Sequence, residues 1–183
     1  MAMNYEELDQ KTREYMLAEF DAEERSSKPY RSKALSSIGL ECFSELMREA
    51  IKSGSEETLC LAFSIPKYWE PFEQYVRDGI QRSRRRNILQ STQRLALTEF
   101  STWYVRGLAK RLLVEKVEKC QIYRGEMPKW EPGECSAHEG QIVAVLDIYN
   151  GHRIRYWPEP GNPNGFSIPF GPGCHHVIRR LKE

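Results

Sequence analysis

Two short stretches hold the residue types best able to bind a metal. PGECSAHEG (residues 132–140) places Cys135 and His138 in a Cys-x2-His spacing, which lets two ligands from one tight turn reach a single tetrahedral ion. GPGCHHVIRR (171–180) supplies Cys174 and His176, alternate residues that share a face where a strand begins. His175 is an alternative fourth ligand, with strand alternation favouring His176. Glycine and proline flank both pairs and suit the sharp turns of a zinc knuckle. Two thiolates and two imidazoles form a donor set of Zn²⁺, and a site with all four positions filled by protein is structural; catalysis would require water in one of them. The competing readings are a reduced, buried cysteine pair with surface histidines, and a redox or nucleophilic thiol.

The elements that must position these residues change character along the chain. Residues 4–25 read as a helix, with Tyr5, Leu8, Thr12, Tyr15 or Met16, Leu17 or Ala18, and Phe20 on a drifting three-to-four spacing and acidic residues loading its start. After a break at Pro29, Ser36 or Ser37 caps a helix whose apolar face is Leu40, Phe43, Leu46 or Met47, and Ile51, and which Gly54 stops. A short helix follows from Ser53 or Ser55, and IPKYWEPFEQYVRDG reads as a turn leading into another. The longest element spans about residues 86–117. It has no proline and only Gly107 interrupts it, and Leu89, Gln93, Leu97, Phe100, Tyr104, Leu108 and Leu112 predict an amphipathic helix able to form the spine of a bundle.

Beyond about residue 118, prolines accumulate and short strand-type runs appear: VEKCQIYR, QIVAVLDIY, HRIRYW, FSIPF and HVIRRL. All four histidines and three of the five cysteines fall here. The expected fold is therefore α+β: a mainly helical region over residues 1–118 and a small β-containing module over 119–183. A unit of that size has little core of its own and usually needs a staple, for which a structural zinc ion is suited.

The chain of 183 residues has a formal charge of +1 and five cysteines. It lacks the polycationic character that would by itself imply nucleic acid or an anionic membrane. An odd set of cysteines without a signal-like N-terminus points to reduced thiols and a cytoplasmic setting, or a particle assembled in the cytoplasm. No apolar run is long enough for a membrane span, and no small-molecule substrate is implied. P-loop, Gly-rich dinucleotide and Ser/His/Asp signatures are all missing from the sequence.

Taken in order, these features resemble the C-terminal part of phage head-morphogenesis (Mu F-like) minor head proteins, over roughly residues 95–181. LALTEF stands at the family's Ala-Arg-Thr-Glu helix, with Thr98 and Glu99 matching. VEKCQIYR stands at the strand that follows. ECSAHEGQIVAV stands at the Cys-x2-Cys turn, with Cys135 at the first cysteine, His138 at the second, and Gly140 and Gln141 at the turn's tail. GPGCHHVI stands at the closing motif, with Pro172 and Cys174 matching and His176 at the last cysteine. His138 and His176 keep ligand character, whereas Gly171 replaces the family's histidine and His175 its arginine. The resemblance implies a non-enzymatic structural protein of a phage or prophage particle, with capsid or portal protein as partner, acting in capsid assembly or DNA delivery.

Two further clusters deserve separate readings. Arg82, Arg84, Arg85 and Arg86 precede the long helix, and Arg179 and Arg180 lie near the C-terminus. Such clusters can neutralise phosphates of DNA without regard to sequence, or be solvated charge that offsets the acidic N-terminal helix. The enzymatic alternative is an HNH-like metal-dependent nuclease, for which His152, helped by Glu139, is the spare candidate base; a zinc-dependent nucleic-acid-binding protein is a third reading.

Overall fold

The computed structural model describes residues 3–126, 134–157, 161–162 and 164–182. The fold is α+β, with helices filling the N-terminal two thirds and a small sheet near the C-terminus. Helix α1 (Gln10–Glu24) begins at Asp9, whose carboxylate accepts the Thr12 N–H, rather than at residue 4. The expected first turn is held in another way. Asn4 N–H bonds the Gly125 carbonyl, while the Tyr123 and Tyr104 hydroxyls accept Glu6 N–H and Glu7 N–H. Tertiary partners thus satisfy the amides of this segment outside any helix. Helix α2 (Ser37–Ser53) is capped by Ser36 and ends at Gly54, and α3 (Glu56–Ala62) starts with a capping box at Ser55.

Where the sequence suggests a turn and another short helix, the chain forms a two-stranded antiparallel ribbon instead, β1 (Phe72–Arg77) and β2 (Ile80–Arg85). Its turn is Asp78-Gly79, both residues at positive φ (54° and 74°). Such a pair matches the right-handed twist of the flanking strands, which makes Asp-Gly a strong local hairpin signal.

Helix α4 (Ile88–Val114), capped by Asn87, is the spine. Phe100, Tyr104, Leu108 and Leu112 of the expected stripe are wholly buried, but so are Ser101, Thr102, Trp103 and Val105, so its middle is covered on all sides rather than amphipathic. Gly107 marks where α1 crosses it: a Cβ there would lie 2.6 Å from the Met16 backbone nitrogen.

The second sheet has β3 (Lys119–Arg124) between β4 (Ile142–Ala144) and β5 (His176–Arg180), all antiparallel. Two expected strand runs differ. VLDIY turns helical as α5 (Val145–Asn150), because Val145 and Ile148, three residues apart, are the ones buried. HRIRYW is a series of turns in which Arg153 takes φ 56°, and FSIPF forms no strand. Cys120, Ile122, Val177 and Ile178 join the same hydrophobic cluster as α4, so the sheet shares the helices' core.

Candidate metal centre

Cys135, Cys174 and His176 converge: one ligand atom from each lies within 4.8 Å of the others. Cys135 sits on a 3₁₀ turn, Glu134–His138. Cys174 closes a turn by donating its N–H to the Gly171 carbonyl at 3.1 Å, with Gly173 at φ 82°. His176 opens β5, opposite Arg124 of β3. The His176 N–H points at Cys174 Sγ (3.4 Å), and His176 Nδ1 lies 3.7 Å from the same sulfur. A tetrahedral ion with Zn–S of about 2.3 Å and Zn–N of about 2.0–2.1 Å separates adjacent S and N donors by about 3.6 Å. Without a metal, burial pushes the Cys174 thiol up to about 12, with neighbouring Cys135 adding to the shift and backbone bonds at Phe170 and His176 opposing it. A cation would reverse this by favouring the thiolate.

The other ring nitrogen, His176 Nε2, is buried with no hydrogen-bond partner and faces Glu139 Oε2 at 3.5 Å. Arg124 grips that carboxylate at 2.5 Å and holds Glu139 below its ordinary range. Glu139 thus stands where the hydrogen-bond acceptor of a metal-bound imidazole is usually found, and a hydrogen bond to it would fix the tautomer of His176 as a ligand. The sequence reading missed Arg124 as a contributor; pairing VEKCQIYR against HVIRR would have put it opposite His176.

The remaining predicted ligands stand elsewhere. The His138 ring packs between Phe166 and Phe170 (centroids 5.2 Å from each), with Nδ1 3.2 Å from Gln141 Oε1. The structure does not bring it into the cluster with Cys135: three residues apart on a 3₁₀ turn the two could share a face, but the aromatic contacts hold the His138 ring away. His175 points to the other side of β5, its Nε2 3.9 Å from Glu126, on the wall of a cavity of about 620 Å³. His138→Ala should therefore change zinc affinity less than Glu139→Gln, for which a loss of about 10–100-fold is expected. Competition with a chromophoric chelator measures both, and the reverse order would make His138 a ligand.

Arg179 and Arg180 do not extend a free basic face. Arg179 pairs with Glu6 (2.5 Å), and Arg180 with Glu115 (2.5 Å) and Glu7 (3.5 Å). Hydrogen bonds from Lys11 and Arg180 bring the Glu115 carboxyl to about 2. Arg86 is also engaged, bonding the Glu70 and Phe72 carbonyls and Glu73.

His152, the candidate nuclease base, belongs to a buried network apart from the cysteines. Its ring lies against Trp103, and Nε2 is 3.0 Å from Glu23. Burial lowers its pKa to about 4, against the pull of Glu23, while Arg153 and Arg106 add to the lowering. Between pH 6.5 and about 4 the unfolded state takes up a proton that the folded state does not, so stability falls as pH falls. The loss from pH 7.5 to 5 is expected to be about 2 kcal/mol, and Glu23, held below its ordinary value, adds in the same direction at lower pH. Urea unfolding of the wild type and of His152→Gln at both pH values measures it; equal pH dependence in the two would refute the assignment.

Within the same network, Arg153 makes two bonds to Glu99, Nη1 to Oε1 at 3.2 Å and Nη2 to Oε2 at 2.7 Å. Thr98 Oγ1 accepts the Gly173 N–H at 3.1 Å. The two matched residues of α4 therefore brace the loop 151–157 and the turn that carries Cys174. Compared with protein-family models, with curated proteins and with solved structures, the chain matches none of them.

Proposed function

We propose that the protein is a non-enzymatic structural or interaction protein of a phage-type particle, whose partner is capsid or portal protein, and that Zn²⁺ on Cys135, Cys174 and His176 fastens its C-terminal module. The observation that carries the metal is the three-donor cluster with a carboxylate facing the free nitrogen of its histidine. Cys174 and His176 are buried and Cys135 is half-buried, so the ion lies under protein and not in a cleft open to substrate. Its donors tie the 3₁₀ turn of residues 134–138 to the edge of β5; with His138 outside the cluster the fourth position is not filled by this triad, so the staple reading rests on the burial of the donors and on the two segments they join, not on a closed four-ligand shell. For the particle role, the support is the resemblance together with the Thr98–Gly173 bond, which links the two most separated matched motifs.

Elemental analysis of the purified protein tests the metal: about one equivalent of zinc is expected, and less than about half would sink it. Gene neighbourhood tests the particle role. Adjacent portal, terminase or capsid genes support it, and a consistent setting among unrelated operons overturns it.

A further inference from the structure

The β1–β2 ribbon is the element the rest of the fold does not use. Every residue of β2 is exposed, as is β1 apart from half-buried Glu73 and Tyr75. Phe72, Val76 and Ile80 are 60%, 71% and 58% exposed. A two-stranded ribbon with both faces in water is marginal by itself, so its persistence in the fold calls for a partner.

Charge identifies that partner. Residues 72–86 hold five arginines against Glu73 and Asp78, a net of +3; the rest of the chain must then carry −2 to leave the overall +1. Ribbon-to-ribbon pairing with a second copy is disfavoured, because two such ribbons repel, and the −2 spread over the rest of the chain is no concentrated anionic surface. The register places Tyr75, Arg77, Arg82 and Arg84 on one face, and Phe72, Val76, Gln81 and Arg85 on the other. Arg84 is partly spent on Glu73 (2.5 Å) and on the Tyr75 ring. Arg77 meets Asp78 only at 3.8 Å, with both side chains about three-quarters exposed. Arg82 and Arg85, on opposite faces, have no carboxylate partner among the described residues. Guanidinium groups directed to both sides suit a slot walled by anions. The major groove of duplex DNA, about 12 Å wide and flanked by two phosphate backbones, admits a two-stranded ribbon.

We propose that this ribbon is a DNA-binding arm that enters a duplex groove and contacts phosphates on both sides through Arg77, Arg82, Arg84 and Arg85, without base preference. It goes beyond the assembly reading and does not depend on the metal. Fluorescence anisotropy with a mixed-sequence duplex tests it. Neutralising three to four phosphates predicts an affinity loss of about 40- to 150-fold between 50 and 200 mM salt. Arg82→Ala/Arg85→Ala should weaken binding at 50 mM salt by about tenfold or more and flatten the salt slope by about two charges. Arg82→Lys/Arg85→Lys should retain it. Lys28→Gln/Lys52→Gln, which removes two exposed charges elsewhere, should leave affinity within about twofold. Absence of binding at 50 mM salt, wild-type binding by the alanine pair, or an equal loss in the Lys28/Lys52 variant overturns the proposal. Zinc content measured in the same samples separates the two readings: unbound DNA with zinc retained removes only the arm.

Discussion

Cys174→Ser is expected to purify without zinc and to unfold some 8–16 °C below the zinc-loaded wild type, and a strong chelator should bring the wild type down to the same temperature. Metal binding to the folded state alone stabilises it by about 4 kcal/mol when free metal exceeds the dissociation constant about a thousandfold. For a chain of this size, each kcal/mol moves the midpoint by about 2–4 °C. The fall should stop short of complete unfolding. Val177 and Ile178 of β5 are buried in the core shared with α4, so the strand has apolar anchoring that an isolated zinc finger lacks. What the metal adds is the fastening of the Cys135 turn to that strand. Calorimetry with and without chelator, paired with elemental analysis, measures this. A chelator-insensitive wild type, or a serine variant that keeps its zinc, would remove the staple.

Glu99→Gln should cost about 3–5 kcal/mol, because it leaves the Arg153 guanidinium buried with its main counter-charge gone. The two side chains are 2% and 1% exposed. Burial opposes the charge on Arg153, yet Glu99, with Tyr156 and Glu23, holds its pKa above the ordinary value. Glu23 cannot substitute, since its Oε2 is 3.5 Å from Arg153 Nε and already meets His152. Replacing both partners with apolar residues, Glu99→Leu/Arg153→Met, should cost less than the single change, as expected where desolvation consumes much of a buried pair's attraction. Urea denaturation gives both numbers. A loss below about 1 kcal/mol in Glu99→Gln would mean that the pair is solvated in the folded protein.

The comparison between chain and fold follows the reach of the forces involved. Helices α2, α3 and α4 were legible because capping and apolar spacing act within a few residues: Ser36, Ser55 and Asn87 cap them in the structure. The ribbon was equally local, in its Asp-Gly turn, but the aromatic, proline-punctuated stretch reads as a turn leading into a short helix. Residues 4–8 lie outside α1, which starts at its Asp9 cap, and tyrosines about a hundred residues away hold Glu6 and Glu7, a set of contacts no local pattern records. Trp130 lies outside the described residues.

By itself the sequence indicated the α+β class, the long helix, and a four-residue candidate set, Cys135, His138, Cys174 and His176, of which the structure brings three together; strand alternation already favoured His176 over His175. Only the tertiary structure decided that His138 packs against Phe166 and Phe170, that Arg153 and Glu99 form a buried pair, and that Glu139 stands beside His176. Spacing along a chain limits which side chains can share a face. Which of them meet across 40 or 50 residues depends on how α4 and the β3–β5 pair close on one another, and that is set by burial of the common core.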